Sequence, residues 1–183
     1  MVETLQERCI LGREVALSRV LGSGANGVAY LAKPTQQPDA PCSFQYPELF
    51  VVKVMRREVW PASSCSEVMR EVSAIRSLNN PFVVRYVGAW LEVGSGEHKG
   101  SMCLAMEYCN GGDLHNLIYD YAARGKHAPN DLAMMVILQV LSALNHSHAH
   151  HIIHRDIKPA NVLLELNTDG KGVARALVGD FGL

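Results

Sequence analysis

The sequence predicts an α+β fold of two lobes, the first built mainly of strands and the second mainly of helix. Short β-rich runs occupy residues 13–107 and surround a single helical pattern. A longer, more apolar helical pattern follows in the second half, and a glycine-containing segment at 108–112 separates the two halves. Strands followed by helices are typical of this class rather than of one βαβ array.

The strand-rich half can be assigned in order from its local patterns. Five strands are predicted, at residues 13–20, 28–32, 50–54, 82–92 and 101–108. The four prolines within 34–47 predict an irregular loop, and residues 94–100 predict a hairpin turn. Ser64 and Glu67 have the spacing of a capping box, which predicts a helix over about 64–78.

The helix-rich half contains a segment, 132–144, that is apolar on nearly every side and is therefore predicted to be a buried helix. Asn130 is the expected N-cap of this helix. Two short strands follow, at 162–164 and 174–178, and a turn at 167–170 joins them.

Composition and charge exclude several classes of protein. The chain has 183 residues, of which 48% are hydrophobic and 19% are charged, the balance of a globular domain. Its 17 lysines and arginines against 18 aspartates and glutamates leave a formal charge of -1, which gives no electrostatic reason to expect nucleic acid or a membrane as partner. The sequence contains no run of about 18 apolar residues, so no membrane span is predicted.

The cysteines and the N-terminus indicate the compartment. The cysteines are odd in number, scattered, and without a C-x-x-C pair: Cys9, Cys42, Cys65, Cys103 and Cys109. We therefore expect reduced thiols and a cytoplasmic location. The first residues also lack the basic start and apolar run of a secretory signal.

Gly22, Gly24 and Gly27 form a G-x-G-x-x-G run, which alone is a weak signal because glycine clusters often only make turns. A dinucleotide-binding fold requires a helix directly after the third glycine, whereas residues 28–32 have a strand pattern. The run is therefore predicted at the tip of a β-hairpin, where backbone N–H groups can approach phosphate oxygens closely.

Lys53 lies in an apolar strand, where a buried and unpaired ammonium would be costly. Glu71 on the predicted helix is the expected partner, with Glu67 one turn earlier as a competitor. The alternative is an exposed lysine at a strand edge and an exposed helix carboxylate.

The segment from His154 to Asn161 is the most specific motif in the chain. Asp156, Lys158 and Asn161 have a spacing that suits a loop presenting a carboxylate to an attacking hydroxyl, an ammonium to a transferred phosphate and an amide oxygen to magnesium. Asp180 follows a strand and adds a second carboxylate suited to a hard cation.

Together, these motifs have the order and rough spacing found in eukaryotic protein kinases, and the chain resembles that family over residues 13–183. The resemblance implies a protein-kinase-like two-lobe fold whose N-lobe has a five-stranded antiparallel sheet and one helix. The implied boundaries are an N-terminal extension at 1–12, the N-lobe at 13–107, a hinge at 108–112 and a partial helical C-lobe at 113–183.

The resemblance also implies cofactors, ATP and Mg²⁺, and a role for each catalytic side chain. Lys53, paired with Glu71, contacts the α- and β-phosphates, and Asp156 orients or accepts the proton of the substrate hydroxyl. Asn161 and Asp180 are the implied magnesium ligands. Lys158, two residues after Asp156, is the pattern of Ser/Thr kinases, so the implied substrate is a protein with serine or threonine.

The implied nucleotide contacts follow the glycine run and the hinge. Backbone groups near the gatekeeper Met106 bond the adenine edge, Val28 or Ala29 and Leu163 flank the base, and Asp113 reaches the ribose. The full implied set is Leu21, Gly22, Gly24, Gly27, Ala29, Lys53, Met106, Glu107, Cys109, Asp113 and Leu163. Ala29 stands where the family usually has valine, which predicts binding weakened by the burial of about two methyl groups or less.

Two assignments are less specific. Residues 85–92 resemble kinases that phosphorylate translation initiation factor 2α, whereas 111–114 and 157–161 equally resemble NimA-related kinases, and we favour the first slightly. Four histidines invite a zinc interpretation: His146, His148, His150 and His151. The resemblance instead implies that His148 is packed at the end of a buried helix, and we expect the others to be exposed.

The sequence ends one residue after the Asp-Phe-Gly motif, so the resemblance implies that the activation segment and the peptide-binding helices are not in it. We therefore expect a truncated kinase domain that exposes an apolar helix face or buries it on a partner, and that does not phosphorylate peptides alone. The alternative is a catalytically inactive nucleotide-binding or scaffold protein. Intact Lys53, Asp156, Asn161 and Asp180 favour the kinase.

Overall fold

The computed structural model describes residues 6–8, 14–24, 27–35, 47–55, 72–73, 76–93 and 97–181. The chain divides into two compact units. Unit 1 comprises residues 1–76 and 86–108, and unit 2 comprises 77–85 and 109–183. The second boundary between them follows Tyr108, inside the segment that the sequence predicts as the connection.

The described part of unit 1 contains a six-stranded sheet. Its strands are β1 (Gln6–Arg8), β2 (Val15–Gly24), β3 (Gly27–Pro34), β4 (Phe50–Met55), β5 (Tyr86–Glu92) and β6 (Met102–Glu107). Their spatial order is β1-β5-β6-β4-β3-β2, and β2 to β6 pair only antiparallel, which confirms the predicted five-stranded sheet. The sixth strand was not predicted: β1 lies within the expected N-terminal extension and pairs parallel with β5.

Strand alternation gives this sheet two different faces. Phe50, Val52 and Val54 of β4 belong to one buried apolar cluster. Cross-strand partners share a face, so Trp90 and Cys103 lie beside them. Burial in this cluster, and secondarily the charge of Glu92, raises the pKa of the Cys103 thiol, which makes it unreactive.

The predicted helix at 64–78 falls mostly outside the described residues, which show helical conformation at 72–73 and at Arg76. The hairpin between β5 and β6 is confirmed, with its described turn at 97–100. Within this turn the His98 ring lies edge-on against Tyr30, with 5.6 Å between ring centroids. The turn is therefore folded onto the sheet.

Unit 2 combines a hairpin with two helices. The hairpin strands are β7 (Val162–Leu166) and β8 (Val173–Val178), which confirm the predicted pair and its turn. The helices are α1 (Leu114–Ala123) and α2 (Asn130–Ala149), and a single 3₁₀ turn spans Pro159–Asn161. A small apolar cluster joins α2 to the hairpin through Val136, Val162, Leu164 and Ala176.

The expectation that the 132–144 helix is buried holds for only part of its surface, and the expectation that it exposes an apolar face is confirmed. Only Val136, Ala143 and Ser147 of α2 are buried, and Val136 packs against the hairpin. Four large apolar side chains are 53–59% exposed: Met134, Ile137, Leu138 and Leu141. The predicted packing of His148 is also wrong, because the adjacent Ser147 occupies the buried position and His148 is exposed.

The start of α2 differs slightly from the prediction. Asn130 is its first helical residue rather than its N-cap, and the Pro129 backbone carbonyl accepts from the Ala133 N–H at 3.0 Å. Among the described residues, only α2 has the length and apolar composition that crossing a bilayer requires. The expectation that no segment is long and apolar enough to span a membrane is therefore wrong for α2. The Ala176 backbone N–H donates to Gln139 Oε1 at 2.7 Å, which ties α2 to β8.

Candidate active site

The three glycines of the G-x-G-x-x-G run lie at the tip of the β2–β3 hairpin. Gly22 pairs with Ala29 and Gly24 with Gly27, so a strand follows the third glycine and a dinucleotide-binding fold is excluded. Gly27 has φ 153°, and a Cβ there would lie 2.3 Å from the Val54 carbonyl oxygen. A Cβ at Gly22 or Gly24 would meet nothing within 4 Å. The fold therefore requires a glycine at Gly27, whereas the other two leave open space beside the backbone.

Strand register brings three predicted nucleotide residues onto one face of the sheet. Ala29 pairs with Lys53, and the neighbouring pair of β4 and β6 is Val51 with Met106. Alternation places all four side chains on the face opposite the Phe50–Val52–Val54 cluster. Lys53 is half-buried there, while Glu71, its predicted partner, lies outside the described residues. Val28, the alternative to Ala29, lies on the other face.

The end of β6 and the residues that follow it are packed against the protein rather than open to solvent. Met106 and Cys109 are buried, and Glu107 is half-buried. Tyr108 Oη accepts a hydrogen bond from Arg19 Nη2 at 3.4 Å, which joins this segment to β2.

In unit 2, His154 organises the start of the His154–Asn161 loop. Its ring is 1% exposed; Nε2 donates to the Gly179 carbonyl at 2.7 Å, and Nδ1 accepts from the Asp156 N–H at 3.3 Å. These bonds select the tautomer that carries its proton on Nε2. The ring also stacks on Phe181, with centroids 4.6 Å apart. His154 thus connects the loop to the Gly179–Phe181 segment.

Asp156, Lys158 and Asn161 form one polar cluster. Lys158 Nζ lies 2.6 Å from Asp156 Oδ2, and Asn161 Nδ2 donates to the Asp156 backbone carbonyl at 2.8 Å and to Oδ2 at 3.1 Å. The hydrogen bond from Lys158, followed by that from Asn161, holds the pKa of the exposed Asp156 carboxyl below its ordinary value. No described residue donates to Asn161 Oδ1, so this oxygen is available to a cation.

The backbone around this loop is unusual at two non-glycine positions. Arg155 and Asp180 have positive φ angles of 67° and 57°. Such conformations persist only where surrounding contacts fix them, and they concentrate at functional sites. Here the Gly179 N–H donates to the Asn161 carbonyl at 2.9 Å, which ties the two segments together. The half-buried Asp180 directly follows this anchor.

Asp113 and Leu163, both predicted to contact the nucleotide, are neighbours through an isolated antiparallel bridge. Asp113 is also the N-cap of α1, and both of its carboxylate oxygens accept hydrogen bonds from Asn116. The sequence analysis missed Asn116, although an asparagine three residues after an acidic N-cap is a readable capping signal.

The histidines at the end of α2 do not form a metal centre. No group of three or more potential metal ligands occurs among the described residues. His150 Nδ1 donates to the His146 carbonyl at 2.9 Å, and the centroids of the two imidazole rings lie 4.4 Å apart. His146 is partly buried rather than exposed, whereas His148, His150 and His151 are exposed.

Comparison with known sequences decides the family. The family described as "Protein kinase domain" matches residues 15–183. This chain belongs to the protein kinase family. The match includes both units and all the candidate side chains named above.

Several relatives of this kinase domain are named serine/threonine kinases. Serine/threonine-protein kinase Nek11 of Homo sapiens is 27% identical over 179 residues, which cover 96% of this chain and 26% of the relative. CBL-interacting protein kinase 4 of Oryza sativa subsp. japonica is 34% identical over 169 residues, 91% of this chain and 32% of the relative. Serine/threonine-protein kinase Nek6 of the same plant is 29% identical over 163 residues, which cover 89% of this chain and 26% of the relative.

The kinase domain thus spans about a quarter to a third of the length of these relatives. Two of the three are Nek kinases, in agreement with the NimA-related resemblance at 111–114 and 157–161. Assignment to a sub-family, including the favoured initiation-factor-2α kinases, stays a prediction.

Proposed function

We propose that this kinase domain transfers the γ-phosphoryl group of Mg-ATP to a serine or threonine hydroxyl of a protein. The observation that carries the proposal is the Asp156–Lys158–Asn161 cluster, in which a carboxylate, an ammonium and an open amide oxygen occupy one loop. Phosphoryl transfer requires mainly positioning and charge stabilisation, and these three groups supply both. Serine/threonine specificity is supported by Lys158 and by the names of the relatives.

Asp156 acts on the substrate hydroxyl. An aspartate carboxyl is ionised at neutral pH at its ordinary pKa, and the hydrogen bonds from Lys158 and Asn161 lower the pKa of Asp156 further, so its carboxylate accepts a hydrogen bond from the hydroxyl. A carboxylate with a lowered pKa is a weak base, so Asp156 orients the hydroxyl and takes its proton late. Lys158 contributes an ammonium that balances charge on the transferred phosphoryl group.

The ligand chemistry of unit 2 fits magnesium. Asn161 Oδ1 and the Asp180 carboxylate are oxygen ligands of the kind that Mg²⁺ prefers, and Mg²⁺ keeps several waters with only one or two carboxylates. These two residues would hold the ion, which would neutralise charge on the phosphates. The bonds from His154 and Asn161 to Gly179 keep the segment before Asp180 in place.

Unit 1 supplies the nucleotide contacts. The open space at Gly22 and Gly24 lets phosphate oxygens reach backbone N–H groups, and Lys53 provides the cation for the α- and β-phosphates. Leu21 and Ala29 would contact the base. Backbone groups of Met106, Glu107 and Cys109 would bond its edge.

We further propose a cytoplasmic location and protein substrates as the partners. The described cysteines, Cys103 and Cys109, are buried and are not in a disulfide, in keeping with a reducing compartment. The names of the relatives support protein substrates in general and identify none.

Phosphate transfer tests the proposal directly. Radiolabelled ATP and a generic basic protein are incubated with the 183 residues and with any longer product of the same gene. Incorporation into serine or threonine that Asp156→Asn abolishes supports the proposal. Lys126→Met, an exposed lysine change away from the loop, should leave the incorporation unchanged.

A second candidate function is a nucleotide-binding scaffold without catalysis. The exposed apolar side chains of α2 favour it, because a contiguous apolar face often marks a protein contact. ATP binding without incorporation in any product of the gene, together with capture of a partner through α2, would support the scaffold and contradict the kinase.

A further inference from the structure

The carboxylate of Asp113 is held more firmly than a helix cap requires. Asp113 Oδ1 accepts from the Asn116 backbone N–H at 2.8 Å, which is the ordinary N-cap bond. Asp113 Oδ2 accepts a second bond, from Asn116 Nδ2 at 2.7 Å. The second bond satisfies no backbone group of the helix. It fixes the plane of the carboxylate instead.

The backbone of Asp113 is fixed as well. Asp113 forms an antiparallel bridge with Leu163 of β7. Just before it, the Gly111 N–H donates to the Leu164 carbonyl and the Leu164 N–H donates to the Gly112 carbonyl, both at 2.8 Å. Gly112 has φ 72°, a conformation that favours glycine. Strand β7 therefore holds the main chain of Asp113 while Asn116 holds its side chain.

This carboxylate keeps capacity for a ligand. An ionised carboxylate offers about four lone-pair positions, and Asn116 uses one on each oxygen. Asp113 is half-buried and Asn116 is exposed, so the remaining positions are accessible from solvent. Their natural partners are hydroxyl donors, because an ionised carboxylate only accepts hydrogen bonds.

We propose that Asn116 is a positioning residue that sets ribose selectivity. By fixing the Asp113 carboxylate before binding, Asn116 lets it accept a ribose hydroxyl of ATP without loss of side-chain freedom on binding. The inference rests on the proposed function, since it presumes that ATP is the ligand. It adds a residue that does not touch the nucleotide and yet determines discrimination between ribonucleotides and deoxyribonucleotides.

Calorimetric titration of the 183-residue protein with ATP, 2′-deoxy-ATP and 3′-deoxy-ATP in the presence of Mg²⁺ tests this proposal. The unchanged protein should prefer ATP over at least one deoxy analogue by about tenfold, the value of one charge-assisted hydrogen bond. Asn116→Ala should reduce that preference to about threefold or less. The matched control, His115→Ala, changes the neighbouring exposed residue and should retain the full preference.

Asn116→Asp guards against a folding artefact. The substitution is isosteric and keeps the backbone N–H that caps the helix, but it replaces the side-chain donor with a charge that repels Asp113. Asn116→Asp should therefore also remove the preference for ATP over the deoxy analogue. The variant should melt near the temperature of the unchanged protein. Equal weakening for all three nucleotides, with the preference retained, would show a merely structural role and overturn the inference. So would binding of ATP without any preference in the unchanged protein. Absence of binding to every nucleotide would instead overturn the proposed function.

Discussion

The two units place their candidate residues by different physical means. In unit 1, strand register decides the positions, because Ala29, Lys53 and Met106 share a face through the pairing of β3, β4 and β6. In unit 2, long-range polar bonds decide them, such as the bond from His154 to Gly179, 25 residues away. Register follows from alternation that is visible in sequence, whereas such bonds do not.

The units also differ in how well they bury apolar surface. The sheet of unit 1 has an extensive buried cluster, whereas α2 of unit 2 leaves Met134, Ile137, Leu138 and Leu141 more than half exposed. The stability of unit 1 variants should therefore depend on whether a new side chain clashes with the backbone of a neighbouring strand. The stability of unit 2 variants should depend on polar hydrogen bonds and on which side of α2 is buried.

The largest effect on stability is expected at the G-x-G-x-x-G run of the β2–β3 hairpin. Gly27→Ala places a Cβ 2.3 Å from the Val54 carbonyl oxygen at a φ of 153°, so strain and overpacking should lower the free energy of unfolding by about 3 kcal/mol. Gly22→Ala meets open space and should change it by less than about 0.5 kcal/mol. Urea unfolding of both variants measures the difference. Equal stability of the two would contradict the described hairpin.

A smaller loss is expected from the polar anchor of unit 2. His154→Phe fills the same space but leaves the Gly179 carbonyl unpaired, which should cost about 2 kcal/mol in unfolding free energy. His148→Phe, at an exposed position of α2, is the matched control and should be close to neutral. If both variants unfold at the same urea concentration, His154 does not anchor the loop.

Helix α2 should show two unequal sides. Val136→Ala empties a buried position and should lower the unfolding free energy by about 1.5 kcal/mol. Leu138→Ala, two residues away and 59% exposed, should change it by less than about 0.5 kcal/mol. A large loss from Leu138→Ala would mean that this face is buried in solution, and the comparison between the units would fail there.

The smallest effect is a change in titration. Lys158→Met should raise the pKa of the Asp156 carboxyl toward its ordinary value, because the ammonium that lowers it is gone. With the pair intact, its contribution to stability is present above the unfolded-state pKa and is lost as pH falls through the lower folded-state pKa. Carboxyl-carbon NMR titration measures the shift, and Lys126→Met is the control. An unchanged pKa in Lys158→Met would refute the pairing.

Much of unit 1 could be predicted from sequence, and less of unit 2. The five antiparallel strands and the hairpin position of the glycines follow from alternation and from the strand pattern after Gly27. Strand β1 was missed because three residues carry no periodic signal. The burial of α2 was overestimated because an apolar sequence does not specify what covers it. The two hydrogen bonds from Asn116 to Asp113 were missed, although an asparagine three residues after an acidic N-cap was a readable signal.

Magnesium-dependent ATP binding tests the central claim most directly: the chain binds Mg-ATP through the residues that its motifs predict. The titration uses the 183-residue protein with Lys53→Met in unit 1 and Asp180→Asn in unit 2. The account predicts binding that requires Mg²⁺ and that each variant weakens by about tenfold or more, equivalent to 1.4 kcal/mol. A flat titration of a well-folded sample, or ATP binding that neither variant alters, would contradict it.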